Sequence, residues 1–203
     1  MDYSTKKRIF IPFLIIFYFI FLQIIPVTGE EVENSKSESV AQENQIDLKS
    51  ELKKINILIK MGFENADIYY NRGWLYAEMG DYNLAKKDYT YAVELDKSYS
   101  DAYFNRGLIY LKEKKYIRAI SDFSRVVKLN PELPDAYCNR GNAYLRLGKS
   151  RKALEDYNSA IKLDDEDPDL YYNRALILQT LGRTKEARAD FAKARALSSE
   201  SDR

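Results

Sequence analysis

An all-α solenoid of antiparallel helix pairs is the fold this chain predicts, and three observations carry that reading. The dipeptide Asn-Arg recurs at Asn71-Arg72, Asn105-Arg106, Asn139-Arg140 and Asn173-Arg174, each copy 34 residues after the last. A fixed period of that size marks a stacked repeat. Aligned on it, units 67–100, 101–134, 135–168 and 169–202 agree without insertion or deletion wherever packing demands a particular size. Tyr69, Tyr103, Tyr137 and Tyr171 align, as do Gly73, Gly107, Gly141 and Ala175; so do Ala85, Ala119, Ala153 and Ala187, and Tyr89, Phe123, Tyr157 and Phe191. Finally, Gly80, Gly148 and Gly182 fall where a first helix must stop, and Pro131, Pro134 and Pro168 stand between units.

In chain order, residues 1–29 carry Lys6-Lys7-Arg8 and then an uncharged apolar stretch from Ile9 to Val27, the order of an export signal. Pro26 and the small Gly29 suit cleavage after Gly29, while the length of the stretch also suits an uncleaved span that would tether the chain to a membrane. Both outcomes place the repeats outside the cytoplasm, either periplasmic or secreted, or anchored to the inner membrane. No Cys follows the apolar stretch, which argues against a bacterial lipid-anchored form. Residues 30–45, rich in Glu, Ser, Asn and Gln, are too polar to bury a core and are expected to be a disordered linker. Residues 46–66 regain a helical apolar pattern through Leu48, Leu52, Ile55, Leu58 and Ile59. This segment matches the back half of a unit, but Glu51 stands where the full units have Ala, so it is expected to be an N-terminal capping helix. Within each full unit the recurring residues step by three, four and seven, which puts them on one stripe of each of two helices. The small ones let the paired helices approach closely.

This pattern resembles the tetratricopeptide repeat, whose 34-residue unit carries an aromatic, then Leu-Gly, Tyr, Ala, Phe and a closing Pro. The resemblance covers 67–202 and implies a right-handed superhelical solenoid. Tyr stands at the first position in place of the usual Trp, Arg72 and its three equivalents replace the usual Leu, and only Pro131 occupies the closing Pro position.

Each Arg has an acidic counterpart sixteen residues on, at Asp88, Asp122, Asp156 and Asp190. An Arg–Asp pair at every helix–helix contact is the expectation, since a partly buried charge needs a partner. The rival reading is that both groups face solvent and share only ancestry.

Composition closes off most chemistry. The chain has no His, which removes the usual general base and the commonest metal ligand; no phosphate-binding Gly loop or Cys cluster is present. No catalytic residue, metal or cofactor is assigned. The single Cys138 aligns with Tyr70, Phe104 and Tyr172, so it is expected to fill a lining position and can form no intramolecular disulfide. Formal charge is +1, and removing residues 1–29 leaves −1, a balance that argues against nucleic acid as partner.

The resemblance implies that the first helix of each unit lines an inner groove. Its lining residues would be Asp67, Tyr70, Asn71, Trp74 and Glu78; Asp101, Phe104, Asn105, Leu108 and Lys112; Asp135, Cys138, Asn139, Asn142 and Arg146; and Asp169, Tyr172, Asn173, Leu176 and Thr180. Two ladders run through them, one of Asn and one of Asp. Asn is a mediocre helix former, and its amide matches both groups of an extended peptide backbone. Similar ladders line the repeat groove of O-linked N-acetylglucosamine transferase. The alternative is that each Asn bonds a neighbouring helix and tightens the stack. The carboxylate clamp of chaperone-binding repeats is missing: its first-helix Lys and Asn are Tyr70 and Trp74 here, or Phe104 and Leu108 one unit later, its third-helix Lys and Arg are Asp135 and Asn139, or Asp169 and Asn173, and only its middle Asn matches, at Asn105 or Asn139. The function expected is therefore a non-catalytic scaffold that binds a protein or peptide partner as an extended segment in this groove. The competing expectation is a structural protein that self-associates through its repeat ends.

Overall fold

The computed structural model describes residues 47–201, which fold as nine helices with no strand among them. The signal and linker expected over 1–29 and 30–45 lie outside the described residues. Helix α1 spans residues 47–60, inside the expected cap. The four units follow as α2 (Ala66–Glu78) with α3 (Tyr82–Leu95), α4 (Ser100–Lys112) with α5 (Tyr116–Leu129), α6 (Pro134–Arg146) with α7 (Ser150–Leu163), and α8 (Pro168–Thr180) with α9 (Thr184–Ser201).

Local chemistry sets these ends. Asn65 and Asp81 cap α2 and α3 by accepting from the amides of Ile68 and Leu84, at 2.8 and 3.1 Å. Pro134 and Pro168 start α6 and α8, where the missing N–H costs nothing. Gly80, Gly148 and Gly182 leave the first helices with positive φ, while the second unit places Lys114 there at φ 59°. A Lys tolerates that conformation less well than Gly.

Each unit is a packed pair, and each second helix packs in turn on the next first helix. Helix α4 also touches α6, so the first helices of the second and third units approach each other directly. The recurring small residue explains the close pairing: a Cβ built at Gly73 or Gly107 would lie 2.9 Å from the ring of Tyr89 or Phe123. Tyr89, Phe123 and Tyr157 are fully buried there.

Three apolar clusters run through the stack, each shared between consecutive units. Val93 packs with Ala102 and Ile109, Val127 with Ala136 and Ala143, and Leu154 and Ile161 with Leu170, Ile177 and Leu178. All three lie within the compact unit 47–203, which thus holds its whole core. On α9 the positions equivalent to Leu154 and Ile161 are Arg188 and Arg195, both exposed. At these two positions the last described helix carries Arg where α5 carries Ile120 and Val127 and α7 carries Leu154 and Ile161.

A guanidinium ladder ties the units together. Arg72, Arg106, Arg140 and Arg174 each donate from Nε and Nη2 to both carboxylate oxygens of Asp88, Asp122, Asp156 and Asp190, at 2.6–2.9 Å. The four Asp residues are buried, so the bidentate form of the expected pair is the correct one and the solvent-facing alternative is not. The remaining Nη1 of each Arg reaches back to the preceding second helix. It donates to Asn56 Oδ1, Thr90 Oγ1, Ser124 Oγ and Asn158 Oδ1 at 3.0, 3.0, 3.3 and 2.9 Å. Each acceptor lies sixteen residues before its Arg, as each Asp lies sixteen after. Tyr69, Tyr103, Tyr137 and Tyr171 add cation–π contacts, with ring centroids 5.4–5.6 Å from the guanidinium carbon. Asn56 gives α1 the same role as a second helix of a complete unit.

Arg106→Leu strands the buried Asp122 carboxylate and is expected to destabilise the chain by about 3–5 kcal/mol. Replacing Asp122 by Leu as well should restore most of that loss. Chemical denaturation of the two variants checks this; equal stability of the single and double variants would contradict it.

Candidate functional site

The inner row is built from the exposed and half-buried faces of α2, α4, α6 and α8, and its members do not behave alike. In the first unit, Asp67 accepts a hydrogen bond from the Tyr99 hydroxyl at 2.8 Å. Tyr70 is half-buried between the rings of Tyr89 and Tyr99, at 5.8 and 5.0 Å, and its hydroxyl accepts from Asn105 Nδ2 at 3.1 Å. Asn71 is exposed and Trp74 half-buried. In the second unit Asp101 is exposed and Leu108 is half-buried against the core. Phe104, expected among the lining residues, is buried edge-on at 5.7 Å against Phe123, the ring that packs beside Gly107.

In the third unit Asp135 is exposed, and its backbone carbonyl accepts from Asn139 Nδ2 at 2.9 Å, one turn along the same helix. Here the short Cys138 leaves room that a hydrogen-bonded triangle occupies. The Tyr157 hydroxyl donates to Asn142 Oδ1 at 2.7 Å, Asn142 Nδ2 approaches Cys138 Sγ at 3.9 Å, and Sγ lies 3.6 Å from the Tyr157 oxygen. In the fourth unit Asp169 is exposed and Asn173 half-buried. Tyr172 packs edge-on against Phe191 yet keeps 50% of its surface exposed, and Leu176 keeps 37%.

The Asn ladder is thus divided. Asn105 spends its amide on Tyr70 of the preceding unit and Asn139 turns its amide N–H back to a carbonyl of its own helix, while among the described residues no side-chain hydrogen bond engages Asn71 or Asn173. Accessible amides and apolar surface gather at the two ends of the row: Asn71 with Trp74, and Asn173 with Tyr172 and Leu176. The sequence could not separate these cases, because the four Asn are identical in pattern and each has the carbonyl of an Asp one turn back on its own helix.

Among the described residues no group of three or more Cys, Asp or Glu could hold a metal ion. Burial pushes the Cys138 thiol up to about 11, the Tyr157 hydroxyl contact opposes this, and nearby Asp135, Asp167 and Asp169 raise it further. A thiol so placed holds little of the nucleophilic thiolate. At pH 8, alkylation of Cys138 in the folded chain should run about a hundredfold slower than in the urea-unfolded chain. Labelling rates followed by mass spectrometry check this, and equal rates would contradict it.

Family profiles described as tetratricopeptide repeat match residues 66–99 and 134–167, and 89–121 and 157–189; a TPR repeat profile matches 107–148. Together these matches run without a gap from 66 to 189. No curated protein sequence matches the chain significantly. Among solved structures, the crystal structure of MamA is 22% identical with a TM-score of 0.74, over 88% of this chain and 99% of that one. MamA from Desulfovibrio magneticus RS-1, residues 41 to the end, is 21% identical with a TM-score of 0.73, over 87% and 100%. YrrB, described as a TPR protein with an unusual peptide-binding site, is 24% identical with a TM-score of 0.65, over 70% of this chain and 74% of its own. At these identities the likeness is one of fold.

Proposed function

The chain belongs to the tetratricopeptide repeat family, and from that premise we propose that it is a non-catalytic scaffold whose inner row holds an extended segment of a protein partner. The observation that carries this reading is the accessible polar and apolar surface at the two ends of the row, which the stack itself does not use. Asn71 and Asn173 offer a donor and an acceptor to a peptide backbone, and Trp74, Tyr172 and Leu176 offer apolar anchors. Asp67, Asp101, Asp135 and Asp169 edge the row with carboxylates, which favours a segment bearing Lys or Arg and disfavours an acidic tail. YrrB, with its peptide-binding site, gives the reading a precedent in this fold.

The same proposal places the four units outside the cytoplasm, carried there by Lys6-Lys7-Arg8 and the apolar stretch 9–27, which is either removed or kept as a membrane tether. Digestion of the units by protease added to intact spheroplasts supports that placement, and their protection speaks against it. Self-association by end-to-end stacking finds less support, because Arg188 and Arg195 occupy the stacking positions of α9.

Peptides selected from a displayed library on residues 47–203 supply the ligand for the test. Asn71→Ala with Asn173→Ala should weaken the selected peptide by about 1–3 kcal/mol, roughly 5- to 150-fold, with an unchanged melting temperature. Calorimetric titration and thermal melts read both. Undiminished binding by the double variant would overturn the groove reading.

A further inference from the structure

From the outer face of α1, we propose a second surface, one that rests against an anionic lipid bilayer. Ile57, Leu58, Met61 and Phe63 are 47%, 40%, 67% and 53% exposed, so four of the ten exposed large apolar side chains of the described residues fall within one seven-residue stretch. A shallow groove runs beside them, lined by Lys49, Leu52, Lys53, Asn56, Ile57 and Lys60. Lys49, Lys53, Ile57 and Lys60 follow one helical stripe, and the three lysines are exposed without an ion pair among the described residues. Of the acidic groups nearby, Glu51 pairs with Lys54, while Glu64, which accepts from the neutral Tyr69 hydroxyl, and Asp47 at the helix start keep their charges against the three lysines. An apolar centre with lysines beside it, whose stems can lie along the surface while their charges reach outward, is the composition of an interfacial contact.

Charge decides among occupants. A second copy docked face to face would set these lysines against the same lysines. A second copy docked end to end would meet the exposed Arg188 and Arg195 of α9. Both arrangements repel, so the occupant is anionic. Chain length then favours a bilayer over an acidic protein. Residue 47 follows Val27 by only twenty positions, which span at most about 70 Å when fully extended. If residues 9–27 remain as a tether, α1 is the described helix that follows it first in the chain and α9 the last.

The inference rests on the tether reading, and its test leaves the tether out so that the two can fail separately. Residues 47–203, which contain the whole described core, are sedimented with vesicles of phosphatidylcholine alone or with one-third phosphatidylglycerol. Sedimentation is expected only with the anionic vesicles and should fall steeply with added salt. Lys53→Glu with Lys60→Glu should reduce it at least tenfold. Ile57→Ser with Met61→Ser should reduce it comparably, with circular dichroism melts confirming an intact fold in both variants. Failure to bind anionic vesicles, equal binding to both vesicle types, or undiminished binding by the folded variants would overturn the proposal. The first outcome would leave an acidic protein as the occupant. Recovery of the units in the soluble periplasmic fraction, cut from residues 1–29, would instead refute the tether alone.

Discussion

One guanidinium per unit joins three helices, and the stack depends on that connection. Each Arg is planar, always charged, and carries five donors in a fixed fork. Two donors close on the Asp of the partner helix and a third reaches the helix of the preceding unit. Apolar contacts alone tolerate small slips, because they are not directional. A bidentate ion pair in a sheltered site does not, since a misplaced partner leaves a charge desolvated and unsatisfied. The spacing of sixteen residues on either side of each Arg therefore fixes the same register at every joint. This accounts for a period of 34 residues kept without insertion through four units.

That register is what makes the inner row a row. Holding each first helix at the same height brings Asn71, Asn105, Asn139 and Asn173 into line, and it also brings neighbouring aromatics within reach of some of them. Where Tyr70 stands opposite Asn105, the amide is consumed by the stack. Where Cys138 replaces the aromatic, Asn142 and Tyr157 fill the space. The two ends of the row have fewer neighbours and so keep their amides and aromatic faces open. The fold thus leaves accessible polar and apolar surface where stacking demands run out, at Asn71 in the first unit and at Asn173, Tyr172 and Leu176 in the last.

The units, their helix pairs and the Arg–Asp pairing were legible in the sequence because each depends on identity recurring at a fixed interval. Asn56, Thr90, Ser124 and Asn158 were not read as a set, although they too recur every 34 residues. Their shared property is a short side chain with an acceptor oxygen, which a search for identical residues does not detect. Ala192 holds the equivalent place on α9 and could accept nothing, just as Arg188 and Arg195 replace the apolar residues that would carry a further unit. The fate of each Asn was hidden for a different reason. It depends on which ring lies across a helix interface and on whether the amide turns back to its own helix, and only the three-dimensional neighbourhood decides that.

The joint between units is the central claim, and the coupling between Thr90 and Arg106 tests it most directly. Thr90→Val removes the acceptor with little change in shape, and its cost can be measured both in the natural chain and in a background where Leu replaces Arg106 and Asp122 together. The ladder predicts a cost about 1–2 kcal/mol larger in the natural chain, because only there does a guanidinium lose its partner. Equal costs in the two backgrounds, within about 0.3 kcal/mol, would show that the units are held by apolar stacking alone and that the third hydrogen bond contributes nothing.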